Sequence, residues 1–259
     1  LVALSQLRNR AAAKKGKEPF AMIDRDRFFA RIKRSLFGRN LSATSQANMN
    51  LIMDYWISRY SANPVQQLAY VLATVLGEVG YRMQPVRETF AADDATARAR
   101  LAHKPYAQSM PPYGHAYYGR GYVQLTWKDN YERQGTIYGQ DFIQFPDLVL
   151  QTAHALPILV EGMMAGDFNR LGKGLAYYVN ADRVDYIAAR RTVNVQDRAQ
   201  KFADFAISFE DAIEFAQGAS PIFEALGADR KGSPETIQLS DEHAAAQHDG
   251  TIWSLETQG

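Results

Sequence analysis

Apolar residues recur along this chain at helical spacing, and no other feature limits its possible folds as much. Phe28, Ile32 and Leu36 fall every four residues after Asp24, and Gly38 is placed to stop that helix. Ser42 or Thr44 can cap a second helix, with Met49, Ile52, Met53, Trp56 and Tyr60 on one side. Asn63-Pro64 begins a third, striped by Leu68, Val71, Leu72, Val75 and Leu76. Leu156, Leu159, Val160 and Met163 predict a helix that tolerates Pro157 only in its first turn. Asp185 to Val193 predicts a shorter one. Asp197-Arg198 starts the last, which carries Phe202, Phe205, Phe209 and Ile213 and ends at Gly218. The expected fold is mainly α with a little strand.

The length of 259 residues suits one domain with tails. We expect a basic leader over 1–22, a domain over 23–217 and an acidic tail over 218–259. The first forty residues carry eleven Lys or Arg against three acids, and the segment after Pro221 carries seven acids against two bases. Such a leader can steer a protein to an anionic polymer or membrane surface, or can simply be a solvated end. Over the domain the charge is balanced, which argues against a nucleic-acid partner. No apolar run reaches the roughly 18 residues of a membrane span, so no transmembrane segment is expected. Leu1 to Leu7 is too short for a signal peptide. Synthesis in the cytoplasm with delivery to a cell wall or periplasm is therefore the expectation. The chain has no cysteine, and no two of its five histidines stand three or four residues apart. Neither a metal site nor a cofactor is implied.

The densest chemistry lies in Tyr117 to Tyr131. Gly119 and Gly121 flank Arg120 and permit unusual backbone or a close ligand. Tyr122, Val123, Leu125 and Trp127 then predict a short extended piece, with Gln124 and Thr126 on one face. Amides and hydroxyls among aromatics suit a sugar polymer; the same pattern also describes a glycine turn entering a buried strand.

Two carboxylates precede it. Glu78 ends the third helix and leans toward its apolar stripe, where burial disfavours the charged form. That suits a general acid, although a Glu at a helix end can also snorkel to solvent. Glu88 follows Pro85, on a loop or extended segment able to fold across a cleft. Pairing with Arg87 in solvent is its alternative.

Tyr118-Gly-Arg-Gly-Tyr-Val-Gln-Leu-Thr-Trp127, followed by Asn130-Tyr131, resembles the signature of glycoside hydrolase family 19, which contains chitinases and phage and bacterial endolysins. The resemblance runs from about Asp24 to Phe215. It implies a lysozyme-like, two-lobed helical domain with a small strand element and a glycan-binding cleft. It further implies an inverting hydrolase of β-1,4-linked N-acetylated glycans, peptidoglycan before chitin. Glu78 matches the family's general acid, Glu88 the base that activates water, and Thr126 the residue that helps hold that water. Tyr118, Arg120, Gln124, Trp127, Asn130 and Asn194 match substrate-lining positions. Arg198 matches a charge partner of the acid or base. An arginine near Glu88 is expected to keep it ionised while burial keeps Glu78 protonated.

Two positions depart from that pattern. Gly77 stands where the family usually has His before the acid, and Val195 where it has Gly after the Asn. The loss at Gly77 also motivates a different reading, a glycan-binding module without turnover.

Overall fold

The computed structural model of the chain describes residues 22–194 and 197–218. The rest of the expected leader and tail, and Val195 with Gln196, lie outside the described residues.

The molecule is mostly helical. Helix α1 (Arg25–Ile32) starts where Asp24 accepts the Arg27 amide, and it passes into a wider π-turn over Lys33–Phe37. Gly38, at φ +51°, ends it as expected. Helix α2 (Ala43–Tyr60) opens with Ser42 and Ser45 capping one another reciprocally. Helix α3 (Val65–Val79) begins directly after Pro64 and is buried along almost its whole length. Downstream come α4 (Asp94–Arg100), α5 (Lys128–Tyr138), α6 (Thr152–Ala165), α7 (Leu175–Tyr178), α8 (Tyr186–Ala189) and α9 (Ala199–Ala216).

The organising contact is α9 against α3. Phe209 of α9 stacks on Phe28 and meets Phe37 edge-on, at centroid distances of 6.4 and 6.3 Å. Arg31 grips Asp211 through two hydrogen bonds of 2.6 and 3.0 Å, so α1 closes on α9 as well. Each large apolar side chain buried here contributes about 1.5–3 kcal/mol.

A small antiparallel pair, β1 (Val86–Arg87) and β2 (Arg120–Gly121), aligns Val86 with Gly121 and Arg87 with Arg120. It joins a large apolar core to a smaller one built from Ala91, Ala97, Leu101, Tyr106, Ala107, Ala116 and Tyr118.

Two local expectations differ from the structure, and helix α5 is one that apolar spacing does not announce. Tyr122 to Trp127 is not a strand. Gln124 adopts φ +53° and the chain doubles back, so that Arg120 and Leu125 exchange backbone hydrogen bonds of 3.2 and 2.8 Å. Helix α5 has no apolar stripe to announce it; it buries only Tyr131, Gln134 and Gly135. Pro157 lies inside α6, beyond its first turn, where its carbonyl accepts the Tyr138 hydroxyl at 2.9 Å.

Candidate active site

Both carboxylates are buried, Glu78 at 2% and Glu88 at 3% exposure. They stand in different surroundings.

Glu88 opens a single 3-10 turn directly after β1, and its amide donates to the Gly119 carbonyl at 2.7 Å. Its carboxylate accepts the Tyr106 hydroxyl on Oε1 at 2.9 Å and the Gly119 amide on Oε2 at 2.8 Å. Arg87 turns away, to Asp147 at 2.6 Å and the Ala92 carbonyl at 2.9 Å. Thr89 and Phe90 follow with left-handed φ of +60° and +53°, costly backbone for non-glycine residues next to a candidate acid or base. Burial, then the charge of Glu88, pushes the Tyr106 phenol far above its ordinary range, so it stays a donor.

Around Glu88 the glycine-rich turn gathers several expected residues. The Gln124 amide nitrogen donates to the Val86 and Gly121 carbonyls at 3.1 and 3.0 Å, and its oxygen is buried without a hydrogen-bond partner. Thr126 donates its hydroxyl to the Gln124 carbonyl at 2.8 Å, and Asn130 donates to the Thr126 carbonyl at 2.7 Å. Trp127, at φ +74°, meets Tyr106 edge-to-face at 5.2 Å.

Tyr118 and Arg120, expected on the substrate side, spend their polar groups within the protein. Arg120 is 1% exposed, and its guanidinium lies 3.7 Å over the Tyr118 ring. It donates to Asp147 at 2.7 Å, Asp94 at 3.0 Å, Tyr131 at 3.1 Å and the Ala116 carbonyl at 3.0 Å. Tyr118 gives its own hydroxyl to Asp94 at 2.9 Å. These two hold the turn in shape. A cavity of about 400 Å³ beside them is lined by Asp94, His115, Arg120, Gln144, Phe145 and Asp147 among others, and by neither Glu. Its two acids are engaged by Arg120.

Glu78 faces the other group. Arg190, in the 3-10 turn Arg190–Thr192 that continues α8, puts a guanidinium nitrogen 2.7 Å from Glu78 Oε1, with both side chains 1% exposed. Neither atom meets the angular requirement of a hydrogen bond, so the contact is an ion pair held by charge and packing. Arg190 also donates to the Asp197 carbonyl at 3.0 Å and accepts the Asn194 amide at 2.9 Å. The arginine expected near Glu88 therefore stands at Glu78. Arg198 is not the partner of either Glu: it pairs with Asp197 at 2.8 Å and is 38% exposed. Arg190 and Tyr106 were not among the residues expected at the site, although Arg190 stands only four residues before Asn194.

Among the described residues no helix is long and apolar enough to cross a membrane, and no group of three or more acidic, His or Cys residues is placed to hold a metal ion.

Residues 87–156 match the sequence profile of glycoside hydrolase family 19, described as chitinase class I. Over 37 residues the chain is 54% identical to acidic endochitinase Q of Nicotiana tabacum, covering 14% of this chain and 15% of that protein. Among solved structures, chitinase C from Streptomyces griseus aligns at TM-score 0.47 and 18% identity, over 80% of this chain and 81% of that one. A bacterial family 19 chitinase aligns at TM-score 0.39 and 20% identity, over 77% and 96%. The matched segment contains Glu88, Tyr106 and the glycine-rich turn; Glu78, Arg190 and Asn194 lie outside it.

Proposed function

We propose that this chain, whose residues 87–156 match the glycoside hydrolase family 19 profile, hydrolyses a β-1,4-linked N-acetylated glycan with inversion. The observation that carries this reading is Glu88, a buried carboxylate in the matched segment with each oxygen held by its own donor. In this reaction Glu88 takes a proton from water, whose oxygen attacks the anomeric carbon. The bond from that carbon to the next sugar's oxygen breaks, and Glu78 protonates the leaving oxygen. Thr126 has spent its hydroxyl hydrogen on Gln124, so toward the attacking water it serves as an acceptor. Gln124, Trp127, Asn130 and Asn194 line the sugar groove in this reading. Because both carboxylates are buried, the glycan reaches them only as the segments over them yield.

The compact, cysteine-free chain favours peptidoglycan, whereas the endochitinase relative favours chitin. Digestion of purified peptidoglycan and of chitin oligomers, read by mass spectrometry and by the anomeric NMR signals of the products, tests both. Wild type should release fragments that begin as the α-anomer, and Glu78→Gln and Glu88→Gln should release none. Products that begin as the β-anomer would sink inversion. Binding without cleavage by the wild type would leave a glycan-binding module.

A further inference from the structure

A Cβ built on Gly77 lies 2.3 Å from two ring carbons of Phe202, a distance no real side chain tolerates. The edge of the Phe202 ring thus fills the space above Gly77. Its face carries the Arg190 guanidinium, 3.9 Å from the ring centroid. Phe202 is fully buried, Arg190 is 1% exposed, and Arg190 in turn touches Glu78 at 2.7 Å. A guanidinium on an aromatic face, shielded from water, is held more firmly than in solvent, because the ring's negative face replaces lost hydration. The hydrogen bond from the Arg190 side chain to the Asp197 carbonyl uses Nε and leaves the terminal nitrogens to Glu78 and the ring.

We infer that Phe202 is a positioning residue for Glu78, acting through Arg190, and that Gly77 is the residue that admits its ring. This rests on Glu78 being the acid of the proposed hydrolase. A side chain at 77 leaves no room for the Phe202 ring in its present seat, so Gly77 reflects a different way of bracing the acid, with the support supplied from α9. The absence of an imidazole beside Glu78 then does not mark a lost activity.

The test uses Phe202→Leu, which keeps much of the volume and removes the π face, and Gly77→Ala, which pushes the ring off its seat. The full chain is used throughout, with circular dichroism to confirm that each variant folds. The first readout is the Arg190 Nε–H signal in proton–nitrogen NMR, assigned by its loss in Arg190→Lys. In the wild type the ring current shifts it upfield, and in both variants it moves downfield. The second is glycan hydrolysis, where kcat should fall about 5- to 30-fold with KM changed less than about two-fold. The double variant should lose no more than the worse single one, because both act through the same ring. An Arg190 signal unmoved in Phe202→Leu overturns the inference, as does an active wild type whose kcat is unchanged in both variants. If the wild type cuts no glycan, the proposed function fails separately, and the positioning inference is decided by the Arg190 signal.

Discussion

The Tyr106 hydroxyl and the Glu88 carboxylate meet across 2.9 Å in a buried setting, 18 residues apart in the chain. A phenol kept protonated by burial is a fixed donor, and it orients the carboxylate that we assign as base. Tyr106→Phe removes that donor and leaves Glu88 Oε1 unsatisfied, a loss of about 1–3 kcal/mol. Hydrolysis should fall by roughly ten-fold or more, seen in kcat by steady-state kinetics, and an unchanged rate would remove Tyr106 from the site.

The two glycines around Arg120 should fail differently. A Cβ on Gly119 lies 2.9 Å from Gln124 Oε1 and 3.1 Å from Glu88 Oε2, both side-chain atoms of the candidate site. Gly119→Ala should therefore lower activity more than stability. Gly121 has φ +84° and its Cβ meets the Val149 backbone carbonyl at 2.9 Å. Gly121→Ala should destabilise the fold by more than about 1 kcal/mol. Urea unfolding beside rate measurements separates the two, and matching profiles would contradict the distinction.

Arg120 holds two helical segments to the turn through Asp94 and Asp147. Arg120→Met should lower stability by about 3 kcal/mol, the lower end for breaking a buried pair, because the two aspartates are 42% and 48% exposed. Chemical denaturation measures it; a loss comparable to that of an ordinary surface substitution would show that the charge network is idle.

Acid should release the same network. Burial pushes the Asp147 carboxyl up, but Arg120 and Arg87 outweigh it and hold the group below its ordinary value. A carboxyl depressed in the folded state stabilises the fold above its unfolded value of about 4. That contribution is lost as pH falls through the lower folded value. Denaturation midpoints taken between about pH 2 and 6 should decline less steeply in Asp147→Asn than in the wild type. Parallel curves would show that Asp147 is not linked to folding.

Sequence alone determined the helices that carry strong apolar stripes. Phe28, Met49, Leu68 and Phe209 are all fully buried where their spacing put them, because helical periodicity is a local property. It also singled out Glu78 and Glu88, and the glycine-rich turn that gathers Gln124, Thr126 and Asn130. Tertiary structure alone decided which group faces which carboxylate. Arg190 reaches Glu78 because α9 and the turn before it pack onto α3, and Arg120 is withdrawn into the scaffold because Asp94 and Asp147 converge on it. Helix α5 was illegible for the same reason, since its buried side is Tyr131, Gln134 and a bare Gly135 backbone and not an apolar stripe. Gly77 departs from the expected motif, and only the tertiary structure puts Phe202, far along the chain, in the space above it. Local spacing encodes which face of a segment is apolar; ion pairing and steric exclusion depend on where distant segments meet.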